Sequence, residues 1–221
     1  MAIKIIITGS TGMVGEGVLL ECLDNPEVAA VLIVNRRTAG IVHPKLKEII
    51  HADFYNLNPI ADQLTGYDAC YFCLGVSSVG MKEPDYFKVT YTLTMHVAEI
   101  LCPRNPAMVF CYVSGAGTDS TEKGRQMWAR VKGKTENDLM KMPFRGVYAF
   151  RPGFIKPVTG QKFVNRFYKY INWMFPIGRR LFPGGFCRVA EIAAAMVYLT
   201  THQLDKKVIS GRDIIALGAL R

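Results

Sequence analysis

Ala2-Ile3-Lys4-Ile5-Ile6-Ile7-Thr8-Gly9-Ser10-Thr11-Gly12-Met13-Val14-Gly15 stands at the start of the 221-residue chain, and its reading decides the fold. The run up to Ile7 is short, apolar and rich in β-branched residues, as in a parallel strand buried on both faces. Glycines at 9, 12 and 15 interrupt it, and Val18, Leu19, Cys22 and Leu23 then follow a helical pattern. Strand, glycine turn and helix in that order are the setting a dinucleotide-binding turn requires. Gly9 allows the tight turn, Gly12 a close backbone approach to pyrophosphate, and Gly15 close packing of helix on strand. The N–H groups opening the helix would face the phosphates, a set running through Thr11, Met13 and Val14. The spacing is Gly-x-x-Gly-x-x-Gly rather than Gly-x-Gly-x-x-Gly, and glycines collect in ordinary turns too. The flanking strand and helix are what favour the nucleotide.

The alternation continues. Residues 30–34 form a second buried strand ending at Asn35-Arg36-Arg37, about 20 residues beyond the glycines, where an acidic residue would take the ribose hydroxyls of NAD. Two arginines stand there instead. They suit a 2′-phosphate, so NADP(H) is expected over NAD(H), the plainer reading being two solvated loop arginines. Residues 46–50 make a third strand, followed by Asp53-Phe54. Asp53 could accept from an adenine amino group or cap the turn before 59–64. A fourth strand over 68–74 runs into Cys73-Leu74-Gly75, where a glycine lets backbone pass close to a ribose. A helix is expected over 84–101, and a fifth strand over 107–113 leads to Ser114. A helix over 121–140 is led by Asp119-x-x-Glu122, laid out like a capping box. A sixth strand over 146–150 closes on Arg151-Pro152-Gly153. Beyond it come an alanine-rich helix over 189–201 and a short terminal strand around 212–215. The pattern makes this an α/β protein, a doubly wound parallel sheet in a single domain over 1–221.

Half of the residues are hydrophobic, which excludes a disordered chain. No apolar run approaches the roughly 20 residues of a membrane span, and the start lacks signal-peptide features, so a cytoplasmic protein is expected. Six cysteines fit reduced, buried thiols. Cys70 and Cys73, three apart on a strand, would point to opposite faces, and no second pair completes a metal set. The net charge of +9 is uneven: residues 1–120 carry −4 and residues 121–188 carry +12. The basic half suits an anionic cofactor, an acidic substrate, a membrane surface or plain solvation. No nucleic-acid motif accompanies it, so no nucleic-acid partner is expected. The aromatics Phe163, Phe167, Tyr168, Tyr170, Trp173 and Phe175 could form a lid or pocket, a membrane interface or a dimer contact, which leaves a homo-oligomer open.

With these pieces in view, the chain resembles the short-chain dehydrogenase/reductase superfamily. It is most similar to the small atypical NAD(P)H-binding members related to the epimerase/dehydratase group. Residues 8–15, Arg36-Arg37, Ala52-Asp53, Cys73-Leu74-Gly75, Ser114, Lys132 and Arg151-Pro152-Gly153 carry the resemblance. It implies a Rossmann fold in which the irregular stretch 156–188 covers a small-molecule substrate. The cofactor would be held by Gly9, Thr11, Gly12, Met13, Val14, Gly15, Arg36, Arg37, Asp53, Phe54, Cys73, Leu74, Gly75, Lys132, Pro152 and Gly153. The implied activity is an NADP-dependent oxidoreductase or epimerase-like enzyme acting on a small carbonyl or alcohol. In such proteins a serine polarises the substrate oxygen, a tyrosine exchanges the proton, and a lysine four residues on lowers the tyrosine pKa. Ser114 and Lys132 match the serine and the lysine as catalytic residues, but the position four before Lys132 is Trp128. Indole has one N–H donor and no proton to exchange. The proton then falls to Tyr112, Tyr91 or water, or the protein is a non-catalytic NADPH-binding sensor or scaffold.

Overall fold

The computed structural model describes residues 2–164 and 174–220. Its first strand, β1 (Ile3–Thr8), lies third in a seven-stranded parallel sheet of order β3-β2-β1-β4-β5-β6-β9. The neighbours are β2 (Val28–Asn35), β3 (Leu46–Ile50), β4 (Ala69–Phe72), β5 (Val109–Val113), β6 (Gly146–Arg151) and β9 (Val208–Ser210). Along β1 the side chains alternate between two cores. Ile5 and Ile7 join a cluster that includes Val18, Leu19, Ile192 and Ile214, whereas Ile6 joins one with Leu64, Val97 and Leu101. Both faces of the strand are covered, so apart from the exposed Lys4 its side chains up to Ile7 are apolar. The same alternation sends Cys70 to one core and Cys73 against the other, as the strand reading requires.

The first cover is α1 (Met13–Asp24) with α6 (Val189–Thr201) and α7 (Gly211–Gly218). The second comprises the 3₁₀ turn Asn58–Leu64, α2 (Glu83–Phe87), α3 (Leu93–Leu101) and α4 (Met127–Leu139). Strand order reverses between β1 and β4, where open α/β sheets leave a crevice at the carboxyl ends of their strands. A separate pair, β7 (Phe154–Lys156) and β8 (Phe186–Arg188), aligns Phe154 with Phe186. Between them α5 (Met174–Leu181) packs Phe175 on both rings, and Gly178 lies so close to Phe186 that a methyl there would overlap the ring. Phe175 is therefore a packing residue. Phe167, Tyr168, Tyr170 and Trp173, and with them 165–173 of the expected covering stretch, lie outside the described residues.

Three expectations are corrected. The helix expected over 84–101 contains a π segment, Lys88–Thr92, between α2 and α3. The helix expected from 121 begins six residues later. The Asp119 carboxylate caps a loop instead, accepting from Thr121 N at 2.9 Å and Gly124 N at 2.6 Å, and Glu122 adopts a φ of 61°. The terminal strand expected around 212–215 is helix α7, and the strand precedes it. Ser210 caps that helix reciprocally with Asp213, so Ile214 and Leu217 bury one helical face.

Candidate functional site

The crevice at the β1/β4 switch is a cleft of about 460 Å³ lined by Gly9, Thr11, Gly12, Arg36, Arg37, Cys73, Leu74 and Gly75. Three stretches separated in sequence thus converge at one strand edge. Gly9 has a φ of 75°, and a methyl there would meet the Cys73 carbonyl carbon at 2.7 Å. Gly15 is required by contact: its methyl would lie 2.2 Å from the Gly9 oxygen, so α1 packs directly on the turn. Gly12, exposed at the helix start, carries no side chain to cap α1. The first N–H groups of a helix have no partner within it, and those of Met13, Val14 and Gly15 follow directly on Gly12 at the cleft. The Met13 and Val14 side chains pack against the core.

Arg36 and Arg37 are exposed on the loop after β2, with the Arg37 guanidinium 5.8 Å from the centre of the Phe163 ring. Beneath that loop lie residues that sequence reasoning missed. Ser10 and Asn35 hydrogen-bond each other, and Glu48 accepts from Asn35, Thr38 and Ala39. Buried Glu16 was missed as well. It accepts the backbone N–H groups of Lys162 and Phe163, both at 2.7 Å, tying the stretch after β7 to α1. No periodicity marks these contacts, which join residues far apart in the chain. Asp53 and Phe54 do not line the cleft. Asp53 accepts Tyr55 N at 2.9 Å in a local turn, and Phe54 is buried in the second core.

At the end of β5, Ser114 is 6% exposed and its hydroxyl donates to the Phe150 carbonyl at 3.0 Å. Lys132 Nζ donates to the Ser114 carbonyl, and burial pushes its pKa down to about 8, with Glu136 opposing. The Trp128 indole lies against Gly117. Neither candidate tyrosine is free to replace the missing phenol. Tyr112 is 1% exposed and burial drives its pKa up. Tyr91 donates to Asp138 at 2.9 Å, and burial and that carboxylate raise its pKa. Cys73 lines the cleft, but burial lifts its thiol to about 12 and leaves it unreactive at neutral pH. Arg151 forms a buried pair with Glu136, the Pro152 carbonyl accepts Ala116 N at 2.8 Å, and Gly153 packs on the Gly185 backbone. Arg151, which also donates to the Ser120 hydroxyl, and Pro152 hold the loop after β5 in place, and Gly153 joins β7 to the turn before β8. Among the described residues no group of three His, Cys, Asp or Glu side chains could hold a metal, and no helix is long and apolar enough to cross a membrane.

Residues 5–126 match the profile of the NAD dependent epimerase/dehydratase family. The chain is 27% identical over 166 residues to "Protein fmp52, mitochondrial" of Aspergillus fumigatus, covering 72% of this chain and 68% of that protein. It is 24% identical over 151 residues to "Protein FMP52, mitochondrial" of Candida albicans, covering 66% and 65%. It spans about two thirds of the length of these relatives. In fold it is similar to ADP-L-glycero-D-manno-heptose-6-epimerase of Helicobacter pylori, with TM-score 0.65, 18% identity and coverage of 99% and 82%. It is also similar to the enzyme WbmF of Bordetella bronchiseptica in complex with NAD+, with TM-score 0.67, 13% identity and coverage of 97% and 77%. A cytoplasmic setting, expected from the sequence, is overturned by these relatives, whose names place them in mitochondria.

Proposed function

This chain belongs to the NAD dependent epimerase/dehydratase family, and from that premise we propose that it is an NADP(H)-dependent oxidoreductase or epimerase-like enzyme acting on a small carbonyl or alcohol. The observation that carries the reading is the single cleft in which the glycine turn and Arg36-Arg37 meet. In it the helix N–H groups of Met13, Val14 and Gly15 take the pyrophosphate. Arg36 and Arg37 take the 2′-phosphate, for which a planar guanidinium is suited. Residues 73–75 run beside the nucleotide, and Lys132 faces the ribose. The nucleotide, when bound, supplies or accepts the hydride. With Trp128 in the tyrosine's place, Tyr112 buried and Tyr91 bound to Asp138, the proton falls to water. The names of the curated relatives support a mitochondrial setting.

A second reading, an NADPH-binding sensor without turnover, is favoured by one observation. The Ser114 hydroxyl is spent on Phe150 while Trp128 has no proton to give. Titration with NADPH and NADH by fluorescence tests the binding. NADPH absorbance with a panel of aldehydes and ketones tests turnover. Equal affinity for both nucleotides refutes the arginine assignment, and wild-type turnover eliminates the sensor.

A further inference from the structure

Glu48 does not line the cleft, yet it fastens the loop that carries both arginines. Its Oε1 accepts from Ala39 N at 2.8 Å and from Asn35 Nδ2 at 3.1 Å. Its Oε2 accepts from the Thr38 hydroxyl at 2.6 Å. The arch 35–39, with Arg36 and Arg37 at its crown, therefore stands with both ends on one carboxylate. Asn35 is 3% exposed, and its amide also donates to Ser10 Oγ at 2.8 Å, within the glycine turn. The Ser10 hydroxyl returns a bond to Asn35 Oδ1 at 3.0 Å. Phosphate turn and arginine loop are thus joined through three side chains from β3, β2 and the turn.

Resting on the NADP(H) reading above, we infer that Glu48 is a positioning residue for cofactor choice. Its carboxylate clamps the arch so that Arg36 and Arg37 meet a 2′-phosphate, while Asn35 and Ser10 keep that arch in register with the pyrophosphate turn. Adjacent guanidinium groups repel, so an unclamped loop would splay them. An ionised carboxylate is acceptor-only, which matches three converging donors; glutamine would aim an amide N–H₂ at one of them. Burial opposes the charge on Glu48, but the donors from Thr38, Ala39 and Asn35 outweigh it and hold the pKa below its ordinary value. The clamp is therefore charged at neutral pH. NAD(H), lacking the 2′-phosphate, makes no use of the arch.

The test is fluorescence titration of NADPH and NADH into wild type, Glu48→Gln, Arg36→Ala/Arg37→Ala and the triple variant. Thr38→Val joins them because it removes one end of the clamp and leaves the carboxylate in place. Glu48→Gln is expected to weaken NADPH about tenfold, or about 1.4 kcal/mol, with NADH changed less than about twofold. Thr38→Val shifts NADPH in the same direction by less. In the double-arginine background Glu48→Gln should add nothing further, which a merely structural role would not produce. Equal weakening of both nucleotides, or a full additional loss in the triple variant, overturns the clamp while leaving the NADP(H) reading intact. A wild type that binds both nucleotides equally, with Arg36→Ala/Arg37→Ala unselective too, overturns the reading and the clamp together.

Discussion

Gly12→Ala separates cofactor binding from folding. Gly12 has φ −120° and ψ 162°, an extended conformation open to alanine, and the new methyl would meet only the Gly9 oxygen at 3.4 Å, an ordinary contact. The cofactor-free protein should therefore keep its stability to within about 0.5 kcal/mol, a melting shift of about 1–2 °C for a chain of this size. The methyl does, however, enter the cleft where the proposed pyrophosphate meets the helix start. Displacing a phosphate oxygen by about 1 Å forfeits at least one charge-assisted hydrogen bond, worth about 1.5–3 kcal/mol. NADPH affinity should fall at least about tenfold. Gly15→Ala is the contrast. Its methyl would lie 2.2 Å from the Gly9 oxygen and 2.5 Å from the Gly9 carbon, so helix or turn must yield. That overpacking costs about 1–3 kcal/mol, a melting loss of about 2–12 °C without any ligand. Melting curves with and without NADPH, paired with fluorescence titration, read both effects. A Gly12→Ala protein that binds NADPH as tightly as wild type would refute the argument, because the phosphates could not then approach the turn at that position.

Three further outcomes are expected. Burial holds Lys132 at about 8 when folded against an ordinary 10.5, so between those values the unfolded chain binds more protons and stability rises with pH. Lys132→Met lacks that rise, so its stability advantage over wild type, largest below pH 8, should shrink toward pH 10; a constant gap in melting curves would contradict the buried charge. Trp128→Tyr should raise carbonyl reduction at least tenfold by restoring a phenol, general acid catalysis being worth about 10²–10⁴; unchanged rates would place proton exchange elsewhere. Arg151→Met strands Glu136, whose side chain is fully buried, and should cost about 3–5 kcal/mol in denaturant unfolding. Adding Glu136→Gln should recover much of the loss; a double variant no better than the single would show that the arginine acts through packing alone.

The first fifteen residues announced their own structure, because strand alternation, positive-φ glycine turns and helical spacing are properties of neighbours in the chain. The strands through β6 and the cleft-lining glycines and arginines follow from such local patterns, whereas the strand order that brings them together at the switch point is tertiary. Local resemblance also misled. Asp119-x-x-Glu122 looks like a helix start, but its carboxylate closes a loop that Gly133 of α4 approaches closely, and that proximity is tertiary. What the phenol's replacements do was likewise decided only in three dimensions. Tyr112 is sealed in the second core, Tyr91 is bound to Asp138, and the Ser114 hydroxyl is turned to Phe150, each contact crossing from one element to another. The link from Ser10 through Asn35 to Glu48 likewise exists only because β1, β2 and β3 lie side by side in register. A hydrogen bond between residues 25 positions apart leaves no periodic trace in a chain, so only strand pairing could reveal it.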